Sequence, residues 1–157
     1  MNDGPESQRD RSPEPAADHT SHIVTVRPAS ETMSVQGLGN FVGISADTSG
    51  ATGLAMNLVV IPPGGQAKAH FHDGFETAID LLQGEVETLY GRGLTLSVIN
   101  RAGDFLFIPP SVPHRPRNTS DTLPAIALVA RNDPREQESV VLYGPDAGPV
   151  PAKAGSR

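Results

Sequence analysis

The sequence of 157 residues contains no cysteine and no tryptophan, and aromatic side chains make up only 4% of it. The lack of cysteine excludes disulfides, thiolate nucleophiles, iron–sulfur clusters and cysteine-type zinc sites. Any transition metal in this protein must therefore be bound by nitrogen and oxygen atoms. The scarcity of aromatic rings argues against an aromatic platform for carbohydrate.

The charge and hydropathy of the chain exclude two further classes of partner. The formal net charge is −6 and the cations are scattered, so we expect no binding to nucleic acid. No apolar run approaches the roughly 18 residues of a membrane-spanning helix. The N-terminus also lacks the basic-then-apolar order of a signal peptide. We therefore expect a cytoplasmic protein without a membrane partner.

Glycine and proline are abundant, with 16 and 15 residues, and they separate short runs of β-branched and aliphatic residues. Strands are predicted at 22–27, 41–45, 54–61, 67–72, 77–82, 85–90, 94–99, 104–108, 115–118, 125–130 and 139–143. Many short strands with Gly and Pro turns predict one all-β domain, a sandwich or barrel, over 22–145. Residues 1–21 and 146–157 have the composition of a disordered N-terminal tail and a flexible C-terminal tail.

A single barrel often has an open sheet edge that is covered by a second copy of the chain. We therefore expect a homodimer, and the N-terminal strand at 22–27 is a candidate for covering that edge.

Three of the five histidines lie in two regularly spaced stretches. In the first, His70 and His72 are two residues apart, and Glu76 follows four residues after the second histidine. Side chains at i and i+2 of a strand project from the same face, so these two imidazoles would point to one place. In the second stretch, a short apolar strand and a proline-rich turn precede His114. A histidine pair alone fits a metal site and a packed polar face equally well.

Both stretches carry a family resemblance. The first resembles cupin motif one, G(X)5HXH(X)3-4E(X)6G, and the second is similar to cupin motif two, G(X)5PXG(X)2H(X)3N. The matching positions are Gly64, His70, His72, Glu76 and Gly84 in the first motif, and Gly103, Pro109, His114 and Asn118 in the second.

The chain departs from the two motifs at two points. Seven residues rather than six separate Glu76 from Gly84, which predicts a bulge or a one-residue shift in that strand. Ser111 stands where motif two has glycine, so the turn before His114 must accommodate a side chain.

The resemblance to a single-domain, type-2 cupin implies a fold and a metal site. The fold is the double-stranded β-helix, or jelly-roll barrel. The implied ligands of one divalent metal in the barrel mouth are His70, His72, Glu76 and His114. Three imidazoles and one carboxylate suit Fe, Mn, Zn, Ni and Cu without selecting among them.

Candidates for other roles surround these ligands. Glu76 could leave the metal and shuttle a proton. Asp80 would act as a general acid or base if it faces the barrel interior, and would be a surface group if the extra residue turns it outward. Arg101, Arg115, Arg117 and Arg131 are candidates for binding an anionic substrate. Alternation from an inward His114 turns Arg115 and Arg117 outward, which favours surface salt bridges for both, and the sequence does not determine the orientation of Arg131. Phe105 and Phe107 are expected to pack in the core.

Three functions are compatible with such a site. The first is a small metalloenzyme acting on a small polar organic substrate, of oxygenase, isomerase, cyclase or lyase type. The second is a non-catalytic metabolite-binding or sensor barrel. The third is a tailoring enzyme of a secondary-metabolite pathway, which rests on family analogy alone.

Overall fold

A computed structural model describes residues 22–135, 137 and 139–144. The expected tails at 1–21 and 146–157 lie outside these residues. In the described part of the chain, no helix is long and apolar enough to cross a membrane.

The regular structure of the described chain is almost entirely β, with one short helix, α1 (Ala46–Ser49), and one 3₁₀ turn (Arg92–Leu94). The strands are β1 (Thr32–Met33), β2 (Gly39–Ile44), β3 (Ala55–Ile61), β4 (His70–His72), β5 (Thr77–Gln83), β6 (Glu85–Tyr90), β7 (Leu96–Arg101), β8 (Phe105–Ile108), β9 (His114–Asn118), β10 (Ala125–Arg131) and β11 (Val140–Leu142). Ten of the eleven predicted strands coincide with these within a few residues.

The strands form two antiparallel sheets that pack as a jelly roll. The six-stranded sheet has the order β1-β2-β3-β10-β5-β8, and the five-stranded sheet has the order β11-β4-β9-β6-β7. β10, near the end of the described chain, lies between β3 and β5, so a late segment closes the middle of the first sheet. The all-β jelly-roll prediction is confirmed.

Two groups of apolar side chains hold the sheets together. The larger lies between the two sheets and consists of Leu38, Ile61, Ala67, Leu81, Val86, Ala125 and Ala127. The smaller packs on the opposite side of β4 around Phe71, Leu94 and Tyr143. Phe71 therefore faces away from the two histidines that flank it, as strand alternation requires. These two layers hold β4 rigidly between them.

The turn between β5 and β6 requires glycine. Gly84 has φ of 88°, and a Cβ atom there would come within 3.0 Å of the Ala125 Cα. Both the left-handed backbone and the contact with β10 favour a residue without a side chain. Gly84 thus fixes where β5 ends and how it lies against β10.

Two expectations about the surface were wrong. Residues 22–27 form no strand, because no other segment of the described chain lies beside them to pair with. Phe105 and Phe107 are 82% and 58% exposed rather than in the core. They lie on the outer face of β8, an edge strand of the six-stranded sheet, while Leu106 between them faces inward.

Candidate metal centre

The three histidines converge inside the barrel. β4 carries His70 and His72 on one face, and β9 places His114 directly opposite His70. Each is at most 4% exposed, and one ring nitrogen from each lies within 4.8 Å of the other two. The ring centroids of His70 and His114 are 4.3 Å apart. The fold therefore brings these three side chains together at one place.

Hydrogen bonds fix the tautomers of two of the imidazoles. His70 Nδ1 lies 2.7 Å from the Lys68 carbonyl oxygen, and His114 Nδ1 lies 2.9 Å from that of Val112. A carbonyl only accepts, so both Nδ1 atoms carry the hydrogen and both Nε2 atoms keep a lone pair. This backbone support is the arrangement that metal-binding histidines use to present Nε2.

The third imidazole is held differently. His72 Nε2 lies 3.1 Å from a guanidinium nitrogen of Arg131, and a guanidinium can only donate. His72 Nδ1 therefore carries the hydrogen, and it is buried without an acceptor among the described residues. The lone pair of His72 points inward like the other two, but it is engaged by Arg131.

Burial keeps all three imidazoles neutral. It lowers the pKa of His70 from 6.5 to about 3, with His114 and Arg131 adding repulsion and the Lys68 carbonyl opposing the shift. Burial also lowers the pKa of His114 to about 4, against the effect of the Val112 carbonyl. The pKa of His72 is lowered further, by burial first and then by the charge of Arg131. Neutral imidazoles are the form that binds a metal.

Thr77, not Glu76, takes the position beside the histidines. Thr77 is the first residue of β5, is 2% exposed and lines the cavity with Ile79 and Leu81. Glu76 is exposed, and its backbone N–H donates to Asn132 Oδ1 at 2.8 Å. Motif one allows four residues between its second histidine and its glutamate, and four residues separate His72 from Thr77. Six residues separate Thr77 from Gly84, as the motif has between its glutamate and its last glycine. Thr77 thus satisfies both spacings, which is the signal that could have found it.

β5 also contains a bulge, at Leu82. β10 pairs Ala127 with Leu81 but Ile126 with Gln83, so Leu82 has no partner. Asp80 precedes the bulge and lies opposite Phe105, whose side chain is on the outer face. The structure therefore does not bring Asp80 to the histidines, and the surface interpretation of this residue fits its place.

Of the four candidate arginines, Arg131 lines the cavity together with the histidines. It is 6% exposed, and its Nε donates to Thr77 Oγ1 at 3.2 Å. Arg101 and Arg117 pair with Glu85 and Glu87 on the outside of the barrel, each at 2.8 Å. Arg131 was the arginine whose orientation the sequence left undetermined.

Two residues of the second motif, Ser111 and Asn118, form hydrogen bonds with turns next to β9. Ser111 adopts φ of 61°, the left-handed conformation for which motif two has glycine, and its hydroxyl accepts from Gly74 N at 3.1 Å. Asn118, 2% exposed, donates to the carbonyls of Ile61, Pro62 and Leu123 at 2.7 to 3.2 Å. These contacts link β9 to the turns beside it and hold His114 in place.

The histidines line a cavity of about 840 Å³, counting the space at its open mouth. Its apolar wall is formed by inward side chains of both sheets, among them Val59, Ile79, Leu106 and Val129. Its polar wall includes the amides of Gln36, Asn40, Asn57 and Asn100. A concave site with an apolar wall and a few polar groups is the usual form of a binding site for a small molecule.

The residues fit a divalent metal held by three nitrogens. Three inward Nε2 lone pairs on neutral imidazoles suit a transition metal and leave further coordination positions open. The nitrogens would have to close in, since two ligands at about 2.1 Å from one metal are at most about 4.2 Å apart. Arg131 would also have to release His72. The carboxylate that motif one supplies is absent from this group of side chains.

Comparison with known proteins agrees with the fold. A family model for the cupin domain matches residues 57–131. No curated protein sequence matches the chain. The oxalate decarboxylase of Lactobacillus farciminis, solved as a formate complex, superposes with a TM-score of 0.61 at 22% identity, over 72% of this chain and 33% of that one.

Two other solved structures give the same result. The Cnp3 cupin domain of Schizosaccharomyces pombe superposes with a TM-score of 0.53 at 11% identity, over 61% of each chain. The Bacillus subtilis oxalate decarboxylase, described with Mn(II) centres, has a TM-score of 0.58 at 18% identity, over 71% of this chain and 30% of its own. The chain thus spans about a third of the oxalate decarboxylases it resembles. At these identities the likeness establishes the fold, and the stretch that carries the three histidines and Arg131 is the one that the cupin-domain model matches.

Proposed function

We propose that this protein is a metal-binding cupin and a small metalloenzyme that acts on a small polar organic molecule. The observation that carries the proposal is the convergence of three inward Nε2 lone pairs, two of them held by backbone carbonyls. His70, His72 and His114 would hold the metal, which would supply Lewis-acid or redox chemistry. The Mn(II) centres of the B. subtilis structure support a transition metal here, and the reaction type is left open among oxygenase, isomerase, cyclase and lyase.

The residues of this chain would bind and orient the substrate. Arg131 supplies a positive charge at the metal position, and Thr77 holds its guanidinium by accepting from Nε. The apolar wall excludes water from the reacting molecule. Glu76, in its exposed position, and Asp80, on the outer face, are not part of the proposed machinery. The cytoplasmic location and the homodimer stay predictions.

The Arg131–His72 hydrogen bond favours a second candidate, a non-catalytic barrel that binds a metabolite without metal. In this alternative Arg131 keeps the lone pair of His72 engaged, and the cavity is a binding site alone. A tailoring role in a secondary-metabolite pathway is one form of the first proposal, and no contact favours it over others.

Metal analysis tests the proposal directly. We expect protein purified without added metal, and then supplied with Co(II), to bind one metal per chain. His114→Ala should abolish binding, whereas His22→Ala, which removes an exposed histidine, should not. A wild-type protein that takes up no Co(II), Mn(II), Fe(II) or Zn(II) would contradict the metalloenzyme and leave the metal-free barrel.

A further inference from the structure

The polar wall of the cavity contains buried acceptors that the fold does not satisfy. Asn57 and Gln36 are 5% and 7% exposed, and the side-chain oxygen of each is buried without a hydrogen-bond partner among residues 22–135, 137 and 139–144. An unpaired buried acceptor destabilises a protein, so such groups in native structures call for an explanation. Both side chains line the cavity that holds the three histidines.

The register of the strands places these amides close to the cationic group. Asn57 on β3 pairs with Val129 on β10. Val129 lies two residues before Arg131 and on the same face of β10, so Asn57 and Arg131 share that face of the sheet. Two residues of a strand span about 7 Å and neighbouring strands lie about 5 Å apart, so one small molecule can contact both side chains. Gln36 lies near the strand that carries His70, because its backbone carbonyl accepts from Lys68 N, two residues before that histidine.

The chemistry of the wall defines the ligand that would fit it. A guanidinium binds a carboxylate by two parallel hydrogen bonds, and Arg131 lines the cavity, so a carboxylate is the group that matches this part of the wall. A hydroxyl group both donates and accepts, so it satisfies a carboxamide in either orientation of the amide. A carboxylate with a hydroxyl a few ångströms away matches the two features together.

We propose that the cavity binds a small hydroxycarboxylate, with its carboxylate on Arg131 beside the histidines and its hydroxyl on the amides of Asn57 and Gln36. This inference names the substrate class of the proposed function. It rests on that proposal because both assign the ligand to the same cavity. The binding step itself needs no metal, because every contact in it comes from side chains of this chain.

Three probes of similar size separate the contribution of the hydroxyl from that of the carboxylate. Lactate carries both groups, propionate lacks the hydroxyl, and lactamide lacks the charge. When propionate displaces water from the cavity, it leaves the amide oxygens unpaired, whereas lactate replaces the lost hydrogen bonds. We expect calorimetric titration of the metal-free wild type to show lactate binding at least about tenfold more tightly than propionate. Lactamide should bind more weakly than either acid.

Variants assign each contact. Asn57→Leu keeps the shape of the side chain and should lower the lactate-to-propionate ratio, because lactate loses a hydrogen bond and propionate no longer leaves that amide unpaired. The double variant with Gln36→Leu should bring the ratio near one. Arg131→Gln should remove the preference for lactate over lactamide, whereas Arg101→Gln, which breaks an exposed pair with Glu85, should change neither ratio. Unfolding midpoints no lower than that of the wild type would verify that the leucine variants fold.

The outcomes separate this inference from the metal proposal. Equal affinities of the wild type for lactate and propionate would overturn the hydroxycarboxylate, even if Co(II) binds to the histidines. A lactate preference that survives in the double leucine variant would overturn it as well. If the preference is present and disappears in that variant, while no metal binds, the inference stands and the metalloenzyme is the proposal that fails.

Discussion

Acidification should destabilise the metal-free protein well above the pH at which its carboxylates titrate. Folded His70 and His114 have pKa values of about 3 and about 4, while an unfolded histidine has one of about 6.5. Between these values the unfolded state binds more protons than the folded state, so the free energy of unfolding falls as the pH falls below 6.5. Above that pH the contribution of the neutral imidazoles is fully present.

The expected loss follows from the same pKa values. At pH 5 each of these two histidines costs about 2 kcal/mol relative to pH 7, so together they remove about 4 kcal/mol. The pKa of His72 is also lowered, so this residue acts in the same direction. A domain of this size is stable by about 5–15 kcal/mol, so the loss is a large fraction of the total.

Urea unfolding of the metal-free protein at pH 7, 6 and 5 measures this loss. His114→Gln should make the dependence on pH shallower, because one of the buried groups that titrate in the unfolded chain is gone. His22→Ala should leave the dependence as it is, since that side chain is exposed in the folded state. A free energy of unfolding that is the same within about 1 kcal/mol at pH 7 and pH 5 would refute the buried neutral histidines.

Three further changes test individual residues. Thr77→Glu places a carboxylate among the imidazoles and should tighten Co(II) binding by about tenfold or more, measured by competition with a chelator, because an anionic ligand is added next to a dication. Glu76→Gln should leave Co(II) affinity unchanged in the same assay, and a large loss would return Glu76 to the ligand set. Asn118→Ala should lower the free energy of unfolding in urea by about 3 kcal/mol, because it leaves three carbonyls of neighbouring turns without their donor.

Local signals in the sequence were sufficient to predict most of the strands and to single out the three histidines. Gly and Pro mark the ends of β5, β6 and β8, and strand alternation alone places His70 and His72 on one face. The position of His114 beside them depends on the pairing of β4 with β9, which are distant in sequence. The resemblance to the two cupin motifs was what indicated it. The amides of Gln36 and Asn57 could not be found in this way, because no motif contains them. Asn57 depends on how β3 pairs with β10, and Gln36 depends on how the turn before β2 lies beside Lys68.

The orientation of Arg131 shows why the remaining part of the site required the fold. β10 reads AIALVAR, in which both sets of alternating residues are apolar until the last position. Either face of this strand could therefore have been the buried one. The pairing with β5 decides the question, because Ala127 lies opposite Leu81 and Arg131 opposite Thr77, and all four are buried.

The register of β5 determines the chemistry of the centre, and burial explains why that register is chosen. If Glu76 faced the histidines, alternation would turn Asp80 into the barrel as well and would expose Ile79 and Leu81. Burying a second carboxylate while removing two apolar side chains from the core would cost several kcal/mol. The observed register turns Thr77, Ile79 and Leu81 toward the cavity and leaves both acids out of its lining. It therefore also removes the carboxylate of motif one from the three histidines, and provides in its place the hydroxyl that holds Arg131 against them.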